Sequence, residues 1–147
     1  MEDMKNKYSV LGKSVPRVET RLKVSGKAKY AADYEVGGML WGKIKRAPYA
    51  HARILGIDTS KAEKLPGVKG VVIGKDFGGF KWGWQAHTRD ESPLATDKVR
   101  YMYEGVAAVA ATDKDIAEEA CDLIDVEYEE LPAVFDPFEA MKEVARP

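Results

Sequence analysis

Arg46-Ala47-Pro48-Tyr49-Ala50-His51-Ala52-Arg53-Ile54-Leu55-Gly56-Ile57-Asp58 is the stretch on which the fold turns. Just before it, Leu40, Gly42 and Ile44 alternate with Trp41, Lys43 and Lys45, the period-2 pattern of a strand with one buried face. Pro48 ends that ladder, because proline has no N–H to donate and pushes its predecessor out of the helical region. Arg46 to Pro48 is therefore predicted to be a corner between extended segments. The chain resumes as a strand over 52–57, and Asp58, Thr59 or Ser60 caps a short helix. Ser60 and Glu63 have capping-box spacing, and Leu65-Pro66-Gly67 stops the helix after about two turns.

Toward the N-terminus, residues 1–29 carry no helical period and are punctuated by Gly12, Pro16 and Gly26, which predicts an extended arm with one small strand. Its Gly12-Lys13-Ser14 lacks the earlier glycine of a phosphate-binding loop, since position 7 is Lys7, and Pro16 would interrupt the helix such a loop needs. Nucleotide binding is excluded there. A strand is expected over 28–34, a turn at Gly37-Gly38 and a strand over 39–45.

Toward the C-terminus, Val68 to Ile73 is a buried strand by its Val-Val-Ile run. Residues 74–93 form an irregular loop rich in glycine around Phe77, Phe80, Trp82 and Trp84, and a loop of that length is functional or an interface, with a satellite core under the loop as the alternative for its aromatics. Val99, Tyr101 and Tyr103 alternate as a strand, and Gly105 to Ala111 is a narrow strand whose alanines let a helix approach closely. Thr112 caps that helix, which places Ile116, Ala117, Ala120, Leu123 and Ile124 on one face. A last strand over 124–128 ends at Leu131-Pro132, and Asp136-Pro137 starts a short C-terminal helix. Strands are grouped and helices segregated, so the fold class is α+β, with one mixed sheet and two main helices plus the short C-terminal one.

The chain has 147 residues, 45% hydrophobic and 32% charged, which suits one soluble domain and is too short for two well-buried cores. It divides into an extended arm, 1–27, and a single domain, 28–147. Cys121, the single cysteine, leaves no internal disulfide. The first residues lack a signal-peptide core and no run is long and apolar enough to span a membrane, so a cytoplasmic location is expected. Up to Arg53 there are 12 Lys and Arg against 5 Asp and Glu, and from Ile54 onward 11 against 19. The basic residues are dispersed and no nucleic-acid-binding motif accompanies them, so nucleic acid is excluded in favour of a docking surface for an acidic neighbour.

Candidate chemistry is sparse. His51 and His87, 36 residues apart, and Cys121 do not make a zinc site. His51 is expected to be a corner residue bonded to backbone, and Cys121 a small buried hydrophobe. A Cys–His catalytic pair is disfavoured because a helix-interior thiol lacks an electropositive setting. Glu118-Glu119 and Glu129-Glu130 read as solvated faces, while Asp90 and Glu91 sit in the irregular loop where they can face a site. Glu139-Ala140-Met141-Lys142 matches the start of a biotin-carrier signature, but only five residues follow Lys142, too few for the returning strands.

Taken together, Gly12 to Arg17, Gly26 to Tyr34, Gly38-Met39-Leu40, Arg46 to Ile54, Ile57 to Gly67, Asp97 to Tyr101, Val106 to Ala111 and Val126 to Val134 resemble, in order, the opening domain of the molybdenum hydroxylase large subunit, the xanthine dehydrogenase and aldehyde oxidase family, whose relatives include carbon monoxide dehydrogenase and 4-hydroxybenzoyl-CoA reductase. The resemblance implies an α/β hammerhead fold and an oxidoreductase that uses molybdopterin, 2Fe-2S clusters and usually FAD. It implies as partners the remaining domains of the molybdenum subunit, an iron–sulfur subunit or domain and an FAD subunit. The catalytic glutamate and pterin loops of such enzymes lie in later domains. This chain is therefore expected to hold no catalytic, cofactor or metal residue, to be inactive alone, and to end as a fragment or split gene would. His87, Thr88, Arg89, Asp90 and Glu91 align with a segment near the substrate funnel, and Arg46, Pro48, His51, Trp82 and Trp84 are interface candidates. The chain departs from the family pattern where Ala47 replaces the usual serine and Tyr103-Glu104-Gly105 the usual Gly-Glu-Pro. Trp82 and Trp84 have no counterpart. The competing expectation is a stand-alone small-ligand-binding or regulatory module built on the Phe77 to Trp84 loop and Asp90-Glu91.

Overall fold

A computed structural model describes residues 8–85 and 87–142. The first residues of the expected arm, 1–7, the tail 143–147 and Ala86 in the loop lie outside the described residues. The chain divides into two compact units, Met1–Gly37 and Gly38–Pro147.

In the first unit, helix α1 spans Thr20–Val24 and a 3-10 turn spans Ala31–Asp33. Neither was expected. Helix α1 buries no residue and lasts five positions, so it leaves no hydrophobic period to read. It closes where Lys27 N–H reaches the Leu22 carbonyl at 2.9 Å across Gly26, whose φ is +69°. The strand expected over 28–34 is replaced because the Asp33 carboxylate accepts the Tyr30 N–H at 2.8 Å, a local bond that competes with strand pairing.

The second unit runs β1 (Trp41–Arg46), β2 (Ala52–Asp58), α2 (Ser60–Glu63), β3 (Val68–Ile73), a 3-10 turn (Gly74–Phe77), β4 (Lys98–Val99), β5 (Gly105–Ala111), α3 (Lys114–Asp122), β6 (Asp125–Glu130) and α4 (Pro137–Ala140). The fold is α+β, as the order of elements predicts. The one mixed sheet is a correction, for the strands form two three-stranded sheets, β1-β5-β3 and β4-β2-β6, both antiparallel throughout. The Pro48 corner causes this, because it carries the chain from the first sheet into the second between two consecutive strands.

Strand β5 is central to the first sheet, with Val109 opposite Lys43 on one side and Val71 on the other. On one face Ala107 and Val109 pack with Ala62, Ala120, Cys121 and Ile124 under α3. A second cluster joins Ala47, Ala95, Val99 and Val106 to Ile54 and Tyr128, and Ile57 and Val126 pack against both. Helix α3 is capped by Asp113, not Thr112, since the Asp113 carboxylate accepts the Asp115 N–H at 2.8 Å. Gly67 allows the sheet and helix to meet. Its φ is +98°, and a Cβ there would lie 2.7 Å from Ile116 Cδ1.

Two strands differ from expectation. The run 99–103 shortens to β4, because the Glu104 carboxylate captures the Arg100 N–H at 2.6 Å and Tyr103 turns to φ +66°. A left-handed tyrosine costs about 1 kcal/mol. In β1 the faces are inverted. Lys43 and Lys45 lie on the α3 side, where Lys43 Nζ donates to Glu118 at 2.8 Å and holds the Glu118 carboxyl below its ordinary pKa. Ile44 lies on the other face and is 44% exposed. The lysine stems line the helix while their heads reach water.

Tyr128 meets Tyr49 edge-on at 5.2 Å between ring centroids, and its buried hydroxyl has no partner among the described residues. Burial, with Tyr49 adding to it, pushes its pKa up to about 12. Replacing Tyr128 with Phe removes an unsatisfied polar atom and is expected to raise stability by about 1 kcal/mol in urea unfolding. An unfolded tyrosine titrates near pH ~10, so this group's contribution is whole below that pH and is lost as pH rises toward the folded pKa. The alkaline decline should therefore be shallower in Tyr128→Phe than in the parent chain.

Candidate functional site

The corner is built by backbone bonds that no helix or sheet absorbs. Ala47, fully buried, donates its N–H to the Glu104 carbonyl at 2.9 Å and accepts from the Tyr103 N–H at 3.0 Å. Arg46 donates an Nη1 hydrogen to the Tyr103 carbonyl at 2.9 Å, next to the β-bulge at Lys45 and Arg46. Pro48 is exposed at the bend. His51 behaves as a corner residue should. Its Nδ1 lies 2.6 Å from the Pro132 carbonyl, which can only accept, so Nδ1 carries a hydrogen and donates. The Leu131 N–H returns to the His51 carbonyl at 2.9 Å. Among the interface candidates, Arg46, Pro48 and His51 thus share one bend that ties β1, β2 and the chain after β6 together.

The loop 74–93 contains a hairpin clasped by Trp82 and Glu91, whose backbones exchange hydrogen bonds of 2.9 and 3.2 Å. Lys81 Nζ donates to Ser92 Oγ at 2.7 Å behind the clasp. Inside it, Thr88 Oγ1 both accepts the Gln85 N–H and donates to the Gln85 carbonyl at 3.1 Å. Gly83 lies under the Thr88 carbonyl so closely that a Cβ there would be 1.9 Å from its oxygen. The aromatics do not form a core beneath the loop. Phe80 and Trp82 are exposed, and Trp84 is 96% exposed. His87, Thr88, Arg89, Asp90 and Glu91 are exposed as well, and none of the charged ones has an ion-pair partner among the described residues. The hairpin brings this polar run and both loop tryptophans together and presents them outward. It is separate in sequence from the Arg46 to His51 bend.

Two of the concavities lie elsewhere. One of about 50 Å³ is lined by Ile54, Leu55, Ile73, Lys75, Ala95 and Thr96 among others, and a shallow one by Asp58, Asp125 and Glu127 with their neighbours. Neither contains a site or interface candidate read from the sequence. Among the described residues no group of three or more His, Cys, Asp and Glu side chains could hold a metal ion. Burial pushes the Cys121 thiol up, against the pull of Lys45 and Lys43, so it is neither a metal-ready nor a nucleophilic thiolate. Among the described residues no side-chain cluster is therefore built to ligate an iron–sulfur cluster or a metal ion directly. Lys142 follows α4 and pairs with Glu139 at 2.6 Å, a setting unlike a hairpin tip. Among the described residues no helix is long and apolar enough to cross a membrane.

Sequence reasoning missed the turn at Tyr101, Met102 and Tyr103, all exposed, and the open face of the first sheet around Ile44 and Val72. Tyr103-Glu104-Gly105 in place of the usual Gly-Glu-Pro was the visible signal for the first. For the hairpin, Gly83→Ala is expected to open the clasp, with loss of hydrogen-exchange protection at the Trp82 and Glu91 amides. The global unfolding free energy should stay within about 0.5 kcal/mol of the parent, since the loop lies outside both core clusters.

Residues 25–132 match the family model described as aldehyde oxidase and xanthine dehydrogenase, a/b hammerhead domain. The chain is 43% identical over 126 residues to a probable xanthine dehydrogenase subunit of Bacillus subtilis, covering 86% of this chain and 17% of that protein. It is 40% identical over 136 residues to the nicotinate dehydrogenase large molybdopterin subunit of Eubacterium barkeri, covering 92% and 32%. The reconstituted CO dehydrogenase from Oligotropha carboxidovorans superposes with a TM-score of 0.79 at 38% identity, covering 91% of this chain and 17% of that one. The chain thus spans between a sixth and a third of the length of these relatives. With its two antiparallel sheets joined at a proline corner and one helix laid on the alanine strand, the chain belongs to the aldehyde oxidase and xanthine dehydrogenase family as an α/β hammerhead domain.

Proposed function

We propose that this chain is a structural and docking domain of a molybdenum hydroxylase large subunit, an oxidoreductase that inserts water-derived oxygen into aldehydes or heteroaromatic rings. The observation that carries this reading is the family match over a domain that has no metal-ligating group among its described residues while exposing many large apolar side chains. A protein that leaves Ile44, Val72, Trp82, Trp84, Phe135 and Phe138 in water is prepared to meet other protein surface. In this reading molybdopterin, 2Fe-2S clusters and FAD are held by other parts of the enzyme, and the partners are the remaining domains of the molybdenum subunit, an iron–sulfur subunit and an FAD subunit. Residues 1–27 serve as an arm on those partners, 28–147 as the docking domain, and the assembly works in the cytoplasm without nucleic acid.

Within it, the bend at Arg46, Pro48 and His51 and the hairpin tryptophans Trp82 and Trp84 form contact surface, and His87 to Glu91 face the substrate funnel. Support for the last point is geometric: a clasped hairpin holds His87, Arg89, Asp90 and Glu91 outward, with no ion-pair partner among the described residues.

The test is co-expression of this chain with the polypeptides encoded beside it. A complex containing molybdenum and iron with hydroxylase activity is expected, and this chain purified alone should contain neither metal and turn over nothing. In the complex, Arg89→Ala should lower kcat/KM by about tenfold, equal to ~1.4 kcal/mol, with molybdenum content unchanged. A chain that stays a clean monomer in the presence of its neighbours, with a polar closed surface, would overturn the reading and favour a stand-alone ligand-binding module.

A further inference from the structure

Tyr103 has φ +66° and is the one non-glycine residue with positive φ among the described residues. The turn that holds it is strapped at every point. Tyr103 N–H reaches the Ala47 carbonyl, Arg46 holds the Tyr103 carbonyl, Glu104 N–H bonds the Tyr101 carbonyl at 3.2 Å, and the Glu104 carboxylate takes the Arg100 N–H. The strain is therefore imposed by the surroundings rather than relaxed by them. The ring that the strain displays lies mostly in water. Tyr101, Met102 and Tyr103 stand 61%, 50% and 62% exposed in succession, and neither tyrosine hydroxyl has a partner among the described residues. A strained, rigid and exposed residue is the pattern of a functional position.

We infer that the Tyr101-Met102-Tyr103 turn is a preformed plug that inserts into an apolar pocket, with a carboxylate at its rim, on another protein surface of the same enzyme. This rests on the docking reading above and names the contact that anchors it. Three observations select that occupant. The three residues project into solvent in succession and line neither concavity described above, which suits a convex element that enters a pocket on a partner. Tyrosine and methionine beside arginine are the types enriched in the energetic centres of protein interfaces, where a rigid two-torsion ring loses little entropy on binding. Arg46, exposed at the base of the turn, spends one hydrogen on the Tyr103 carbonyl and keeps its remaining donors unpartnered among the described residues, which suits a carboxylate opposite. Arg100 is less suited to that role, because Asp97 already pairs its charge.

Hydroxyl-radical footprinting of the assembled enzyme and of the chain alone tests the inference directly. Modification of Met102, Tyr101 and Tyr103 should fall at least tenfold on assembly. If a metal-containing complex forms and these residues react as they do in the free chain, the inference is overturned while the docking reading stands. If no complex forms, the docking reading fails and the inference falls with it. The companion variant is Tyr103→Gly, which relieves the backbone and removes the ring. It should raise the unfolding midpoint of the chain and weaken its association with the rest of the enzyme at least tenfold, two effects of opposite sign that a structural turn would not give. Tyr103→Asn, which tolerates the left-handed backbone, should weaken association similarly. Unchanged association in both variants would sink the proposal, as would a dimer of the isolated chain that Tyr103→Gly dissolves, since that would assign the turn to a second copy.

Discussion

Everything in the second unit depends on how closely other elements approach β5. Its alanines at 107, 108, 110 and 111 keep the strand thin, so α3 lies on one face with Ala117, Ala120 and Cys121 turned to it while β1 and β3 pair on its two edges. A bulkier residue at Ala107 would have to displace Ala120 or Ile124, which share its cluster. The thinness has a consequence for stability. The largest fully buried side chains are Ile124, Val99 and Val106, so the domain gains less from burial per residue than a domain cored with leucine and phenylalanine. Its own interior is sufficient to order two sheets, and much of its apolar surface remains outside that interior.

The two sheets are kept in register with one another by the bend rather than by a shared strand. Ala47, buried and bonded in both directions to the 103–104 backbone, fastens the end of β1 to the turn that leads into β5. His51 and Leu131 fasten the start of β2 to the end of β6. Between these straps only Pro48 and its neighbours are left to bend, and proline supplies that bend without an N–H to satisfy. The strain at Tyr103 belongs to this arrangement. The turn cannot relax without releasing Ala47, and releasing Ala47 would leave a buried N–H without a partner.

Much of this was legible because local chemistry and long-range packing agree. Strands β3 and β5 fall where their apolar runs place them, and α4 begins at Asp136-Pro137, where the Asp136 carboxylate accepts the Phe138 N–H at 2.7 Å. The His51 bond to backbone follows from its place at a corner. What was not legible came from side chains that capture a backbone N–H: Asp33 converts an expected strand to a 3-10 turn, and Glu104 cuts the strand after Val99. A carboxylate three or four residues away carries no periodic signature. Helix α1 was invisible for a related reason, since a helix that buries nothing has no pattern to show. The candidate site was legible as a place but not as a shape. The irregular loop could be bounded, whereas the clasp between Trp82 and Glu91 depends on Gly83 passing beneath a carbonyl, which spacing does not encode.

The inversion of β1 bears most directly on function. Alternation in a strand shows that two faces differ; it does not show which face meets the rest of the same domain. In β1 the lysine face lies under α3, where Glu118 draws Lys43 across, and the face carrying Ile44 looks away from the helix. Its register neighbour across the sheet is Ala108, then Val72, which is also exposed. Val106 on this side is buried in the second cluster, but the row through Ile44 and Val72 stays exposed, apolar surface that this unit leaves open. Sheets that are apolar on both faces are found where both are covered. The pattern in β1 is therefore intelligible as that of a strand written for an assembly, in which the small interior of β5 and α3 fixes the frame and the Ile44 face meets protein beyond this unit.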